Sequence, residues 1–162
     1  MKYLIILAFG MLFSCSKNNI DSEVIDTHVD IVVEDANGNN ILSGASPIFI
    51  NPDSIELMYL INGNTQSVRN KDLDCPNSVC YISDLGRERI RIFPNDSDKE
   101  EYPITYIKWG NGDFDTLKCH FVRKNNGNIS SVVCDKVWFN DLPMIPDNAI
   151  VELGRAFRII KH

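Results

Sequence analysis

Two kinds of apolar pattern divide the chain. Residues 3–13 form one uncharged, mainly apolar run, whereas from residue 28 onward apolar and polar positions alternate in short stretches separated by turn residues. Alternation with a period of two marks a strand with one buried face. It predicts strands over 28–34, 54–61, 66–70, 79–83, 88–93, 104–109, 114–123 and 129–139. These stretches are rich in Val, Ile, Tyr and Phe, the side chains that suit a half-buried pleated surface. Residues 47–50 read as a short edge strand, where Pro47 is tolerated. The last segment, 149–160, fits a helical stripe through Ala149, Ile150, Leu153, Ala156, Phe157 and Ile160. It also fits one strand face through Val151, Leu153, Phe157 and Ile159. A final strand is favoured because it completes an all-β domain.

The turns reinforce this reading. Asn37-Gly38, Asn62-Gly63, Asn111-Gly112 and Asn126-Gly127 each carry the Asn-Gly signal of a two-residue hairpin. A turn at Asn126-Gly127 would set Cys119 opposite Cys134. A turn at Asn111-Gly112 would set Trp109 opposite Phe114 and Ile107 opposite Thr116. At the fifth stretch and the residue before it, Arg87, Arg89 and Arg91 share one face, and Ile90 and Ile92 share the other. The expected fold is an antiparallel β-sandwich, Ig-like or transthyretin-like, of about seven to nine strands.

The N-terminal run has another purpose. Lys2 precedes 11 uncharged residues, too few for the roughly 20 that a bilayer span requires. The run ends in Leu12-Phe13-Ser14-Cys15, which resembles the lipobox of bacterial lipoproteins. That resemblance implies a signal peptide over 1–14, lipidation of the Cys15 thiol and cleavage before it. Several acyl chains give stable anchoring where one does not. Residues 15–26 are polar and read as a flexible tether, leaving 27–162 as a single β domain. Removing 14 residues from 162 leaves 148, enough for one core. Loss of Lys2 moves the net charge from −6 to −7. A chain this acidic is poorly suited to nucleic acid, which is bound through clustered Lys and Arg.

Export places the other four cysteines, Cys75, Cys80, Cys119 and Cys134, in an oxidising compartment. Two disulfides can connect in three ways. Cys75–Cys80 with Cys119–Cys134 is favoured, because the first pair flanks a turn-like loop and the second faces across a hairpin. The spacing is a weak zinc signal, and no metal or other cofactor is expected.

No stretch carries an enzyme's signature. There is no G-x-S-x-G elbow, and His28, His120 and His162 are far apart in sequence. Cys119 and His120 are neighbours on one strand and so face opposite ways. Residues 35–39, Asp-Ala-Asn-Gly-Asn, begin like a calcium loop but lack its late Glu, so a hairpin turn is preferred. Asp113 and Asp115, with Asp96 and Asp98, are read as solvated loop acids before a cation site. The stripe of Arg87, Arg89 and Arg91, with Trp109, is the candidate ligand surface. Its alternative is a charged sheet face with acids across from it. Tyr102, Tyr106, Trp109 and Trp138 are candidates for a sugar-stacking platform or for cross-strand aromatic pairs.

Four segments carry a wider resemblance: 30–42 (Asp-Ile-Val-Val-Glu-Asp-Ala-Asn-Gly-Asn-Asn-Ile-Leu), 103–109 (Pro-Ile-Thr-Tyr-Ile-Lys-Trp), 115–118 (Asp-Thr-Leu-Lys) and 136–140 (Lys-Val-Trp-Phe-Asn). On these and the lipobox the chain resembles small lipoproteins of Bacteroides-type bacteria. The resemblance implies an outer-membrane address, facing either the periplasm or the cell exterior. It also implies O-glycosylation at Ser54 and Thr116, each in an Asp-Ser/Thr-aliphatic triplet. The leading expectation is a non-enzymatic binding or accessory module whose partner is a glycan or an envelope protein. A periplasmic inhibitor of lysozyme or a protease is the second reading, and an uncharacterised hydrolase the third.

Overall fold

The computed structural model describes residues 22–69, 74–84, 87–110, 112–126, 129–146 and 155–162. The expected signal peptide, Cys15 and most of the expected tether lie outside these residues. Within them the fold is an all-β sandwich of two sheets, with one short 3-10 turn at Pro52–Ser54. The larger sheet runs β1 (Ser22–Asp26), β9 (Ile129–Phe139), β8 (Phe114–Asn125), β7 (Ile104–Lys108), β3 (Glu56–Ile61), β4 (Asn64–Val68). In it β10 (Leu142–Pro143) also pairs with β9. The smaller sheet runs β11 (Ala156–Ile160), β2 (Val29–Glu34), β6 (Arg87–Ile92), β5 (Val79–Asp84).

Both sheets are mixed where a purely antiparallel arrangement was expected. β1 runs parallel to β9, and β11 runs parallel to β2. Each terminal strand is separated from its partner by most of the domain, which is the long connection that parallel pairing needs. β1 also corrects the tether, whose last five residues form a strand. Arg155 ties these parallel strands together: it donates to the Cys134 carbonyl and to the carbonyl and carboxylate of Asp26. Residues 47–50 form a turn and an irregular stretch instead of an edge strand. The end of the chain forms strand over Ala156–Ile160, while 149–154 lie outside the described residues.

The alternating residues fill one core between the sheets. Val29, Ile31 and Val33 of β2, Ile90 and Ile92 of β6, and Phe157 and Ile159 of β11 face Leu57, Ile107, Leu117, Cys119, Phe121, Cys134 and Val137. Ile41, Leu42, Ile50 and Ile55 close it from the loops. Burial of such side chains stabilises by about 1.5–3 kcal/mol each.

The hairpins differ in detail. Asn62 and Gly63 both take positive φ, 51° and 76°, as a two-residue type I′ turn requires. The turn near Gly112 is one residue longer. Trp109 accepts from the Gly112 N–H and donates to the Asp113 carbonyl, with Gly112 at φ 86°. Lys108 therefore pairs with Phe114 and Ile107 with Asp115. A one-residue slip turns side chains to the other face. Trp109 enters the core at 0% exposure, while Phe114 is exposed. Gly110 permits this approach, since a Cβ there would sit 1.9 Å from Ser54 Oγ.

The β8–β9 pairing corrects a second register. Next to the turn Asn125 pairs with Ser130, and the Asn126 N–H donates to the Ile129 carbonyl. Farther along, Phe121 pairs with Cys134 but His120 pairs with Lys136. Asp135 is the extra residue of a β-bulge. Cys119 consequently lies opposite Val137, not opposite Cys134.

Candidate functional site

The arginine stripe forms as expected but is occupied by the protein itself. Asp30 of β2 stands opposite Arg91 of β6 on the outer face of the smaller sheet. Its carboxylate accepts from Arg89 Nε at 3.1 Å, Arg91 Nε at 2.8 Å and Arg91 Nη2 at 3.0 Å. Asp84 accepts a second pair of bonds from the Arg89 fork. Asp30 is 0% exposed and Arg89 3%. These bonds hold Asp84 below the usual carboxylate range, chiefly through the Arg89 hydrogen bonds. Arg87 sits opposite Asp84, and its Nη1 is buried without a partner among the described residues.

Trp109, the fourth member of the expected ligand surface, is elsewhere. Its indole N–H donates to Asp115 Oδ2 at 2.6 Å. Lys161 Nζ lies 4.8 Å from the Trp109 ring centre, bonds Asp115 at 2.6 Å and also bonds Asp113. Asn140 Nδ2 completes the group on Asp115 Oδ1 at 2.7 Å. Asp113 is lowered, chiefly by the Lys161 hydrogen bond. These acids pin the C-terminus against the core. The arginines and Trp109 do not share a surface, because the long turn sends Trp109 inward.

Asp35 is likewise committed to structure. It accepts from the backbone of Asn37 and Asn39 and from the Asn39 side-chain amide, at 2.8–2.9 Å. The Asn39 bonds hold it below its ordinary value. It caps a turn in which Gly38 takes φ 82°. Among the described residues no three His, Cys, Asp or Glu side chains converge as metal ligands. Ser54 donates its hydroxyl to the Asn51 carbonyl at 2.6 Å, and Thr116 is half-buried on β8.

Cys75 and Cys80 are joined, with Cα atoms 5.2 Å apart. Cys119 and Cys134 are free, buried thiols that contact each other from adjacent strands. The Cys134 contact and burial push the Cys119 thiol far up.

An aromatic group does gather on the outer face of the larger sheet. Val137 points inward, so Trp138 points outward. Cys119 and Phe121 point inward, so His120 points outward. Tyr102, in the loop before β7, lies 5.5 Å from both rings, edge-on to Trp138 and tilted to His120. Tyr102 is 40% exposed. Hydrogen bonding to Glu101 raises its hydroxyl. His120 Nδ1 lies 2.5 Å from Asp135 Oδ1, a contact made by the bulge. Lys118 sits 5.6 Å from the Trp138 ring centre and is paired with Asp141 at 2.9 Å. Of the four aromatics singled out in the sequence, Tyr102 and Trp138 come together, Tyr106 lies farther along β7 and Trp109 is in the core. His120, Lys118 and Asp135 join the group without any sequence signal at hairpin or motif spacing.

This arrangement offers part-exposed aromatic rings, set at angles to one another, next to paired polar groups. Such a surface accepts the apolar face of a sugar ring while the rim exchanges hydrogen bonds with its hydroxyls. No protein-family model, curated protein or solved structure matches the chain.

Proposed function

We propose that this chain is the β-sandwich head of a lipid-anchored outer-membrane protein, held through Cys15, and that it binds neutral oligosaccharides without chemically altering them. The observation that carries the binding reading is the Tyr102–Trp138–His120 group with its acid and base rim. The basic side chains beside it, Lys118 and His120, already face Asp141 and Asp135, which favours an uncharged ligand over an acidic one. The lipobox and the polar residues after it support the anchor.

Binding to a panel of neutral oligosaccharides tests the first part. Trp138→Ala should weaken binding by about tenfold or more, the usual effect of removing an aromatic anchor, with the fold unchanged. Equal binding by the variant would refute the platform. Cys15→Ala should abolish labelling by a palmitate analogue, and persistent labelling would refute the anchor.

A further inference from the structure

A second recess lies on a different part of the sandwich. It is a cavity of about 570 Å³ where β3, β5 and the loop after β6 meet, walled by Tyr59, Phe93, Pro94 and the Cys75–Cys80 disulfide. Tyr59 donates its hydroxyl to the Phe93 carbonyl at 2.7 Å, which fixes the phenol as a wall. Burial raises that hydroxyl. Two carboxylates, Asp74 and Asp96, line the same cavity, and both residues are exposed. Among the described residues no Lys, Arg or His lines it. Two basic residues beside the lining, Arg123 and His28, are otherwise engaged. Arg123 donates to the Asp96 backbone carbonyl, not to its carboxylate. His28, 6.5 Å from the Phe93 ring, faces Asp26 at 3.4 Å and is shifted down chiefly by burial.

We infer that this cavity receives a lysine or arginine side chain from a partner polypeptide. The apolar walls fit the methylene stem, and the carboxylates fit the charged head. β5, whose Cys80 lines the cavity, is the last strand of its sheet among the described residues. An extended segment laid against that edge would hold the side chain in place through main-chain bonds. This ligand differs in charge and class from the oligosaccharide proposed for the aromatic platform, and the two sites share no residue.

The test is fluorescence anisotropy of labelled, capped Ser-Arg-Ser and Ser-Lys-Ser peptides titrated with the intact protein. A peptide with citrulline in place of arginine is the neutral control. The account expects saturable binding of the cationic peptides and about tenfold weaker binding of the citrulline peptide. Asp74→Asn with Asp96→Asn should weaken the cationic peptides by about tenfold, the sum of two exposed ion pairs. Phe93→Ala should weaken both kinds of peptide, and Trp138→Ala neither. Equal affinity for citrulline and arginine, or unchanged affinity in the double Asp variant, would overturn the inference. So would competition by free N-acetyl-arginine amide as strong as that of the whole peptide, which would show that no polypeptide is read.

Discussion

Replacing Asp30 by Asn isolates the buried charge that holds the arginine stripe. The change keeps the shape of the side chain and removes its charge. Asp30 accepts three charge-assisted bonds, two from Arg91 and one from Arg89, at full burial. The amide can keep an acceptor toward one guanidinium but turns an NH₂ toward the other. Arg89 retains Asp84, whereas the bonds that the structure gives Arg91 all end on Asp30. Breaking a buried ion pair by removing one partner costs about 3–5 kcal/mol. For a domain of this size each kcal/mol moves the melting temperature by roughly 2–4 °C, so a fall of about 6–20 °C is expected. Urea unfolding followed by circular dichroism gives the free energy, and a thermal scan gives the midpoint. Arg91→Met with Asp30→Leu should recover part of the loss, because a buried pair replaced by apolar groups is often near neutral. A loss under about 1 kcal/mol for Asp30→Asn would show that water reaches the stripe, and the stripe would return as a candidate anion site.

Further outcomes concern the cysteines and the acids. Cys75→Ser with Cys80→Ser should cost about 2 kcal/mol, the chain entropy of closing so short a loop, measured by urea unfolding; no change would mean the bridge is strained or absent. Iodoacetamide should leave Cys119 and Cys134 unmodified in the folded protein and alkylate both in urea without reductant. A need for reductant would show that the two thiols are bridged. Asp35, Asp84 and Asp113 all have folded values below the ordinary carboxylate value. Depressed carboxylates supply stability that is complete above about pH 5 and is lost as the pH falls through their unfolded and then their folded values. The melting temperature should therefore drop on acidification from about pH 5 to about pH 3, and Asp35→Asn should reduce that drop. An unaltered acid limb in the variant would exclude Asp35 from it.

The strand pattern was legible because each core strand obeys a local rule. Ile90 and Ile92 point inward and the arginines outward, as alternation alone requires. The Asn62-Gly63 hairpin was legible for the same reason, since two positive φ angles suffice to set it. What the sequence hid depends on residues distant in the chain or on one extra residue. The Asp135 bulge moves Cys119 away from Cys134 and brings a carboxylate to His120, and no composition cue marks it. The longer turn at Gly112 puts Trp109 in the core, where Asp115 accepts its indole N–H and is itself held by Lys161 and Asn140 from two other segments. β1 was hidden because Val24 and Ile25 on a short edge strand look no different from a tether. The aromatic group proposed as a binding platform was half visible: Tyr102 and Trp138 were among the aromatics noted, but the gathering of His120 and Asp135 beside them depends on the register of β8 and β9.

The chain has two tryptophans, which makes the platform directly observable. Trp138 lies on the outer face of β9, whereas Trp109 is buried and bonded to Asp115. A ¹H–¹⁵N spectrum therefore contains two indole signals. Titration with a binding neutral oligosaccharide should shift the Trp138 signal in a saturable way and leave the Trp109 signal in place. Saturable binding with the Trp138 signal unmoved, or no shift of it across the oligosaccharide panel, would contradict the platform.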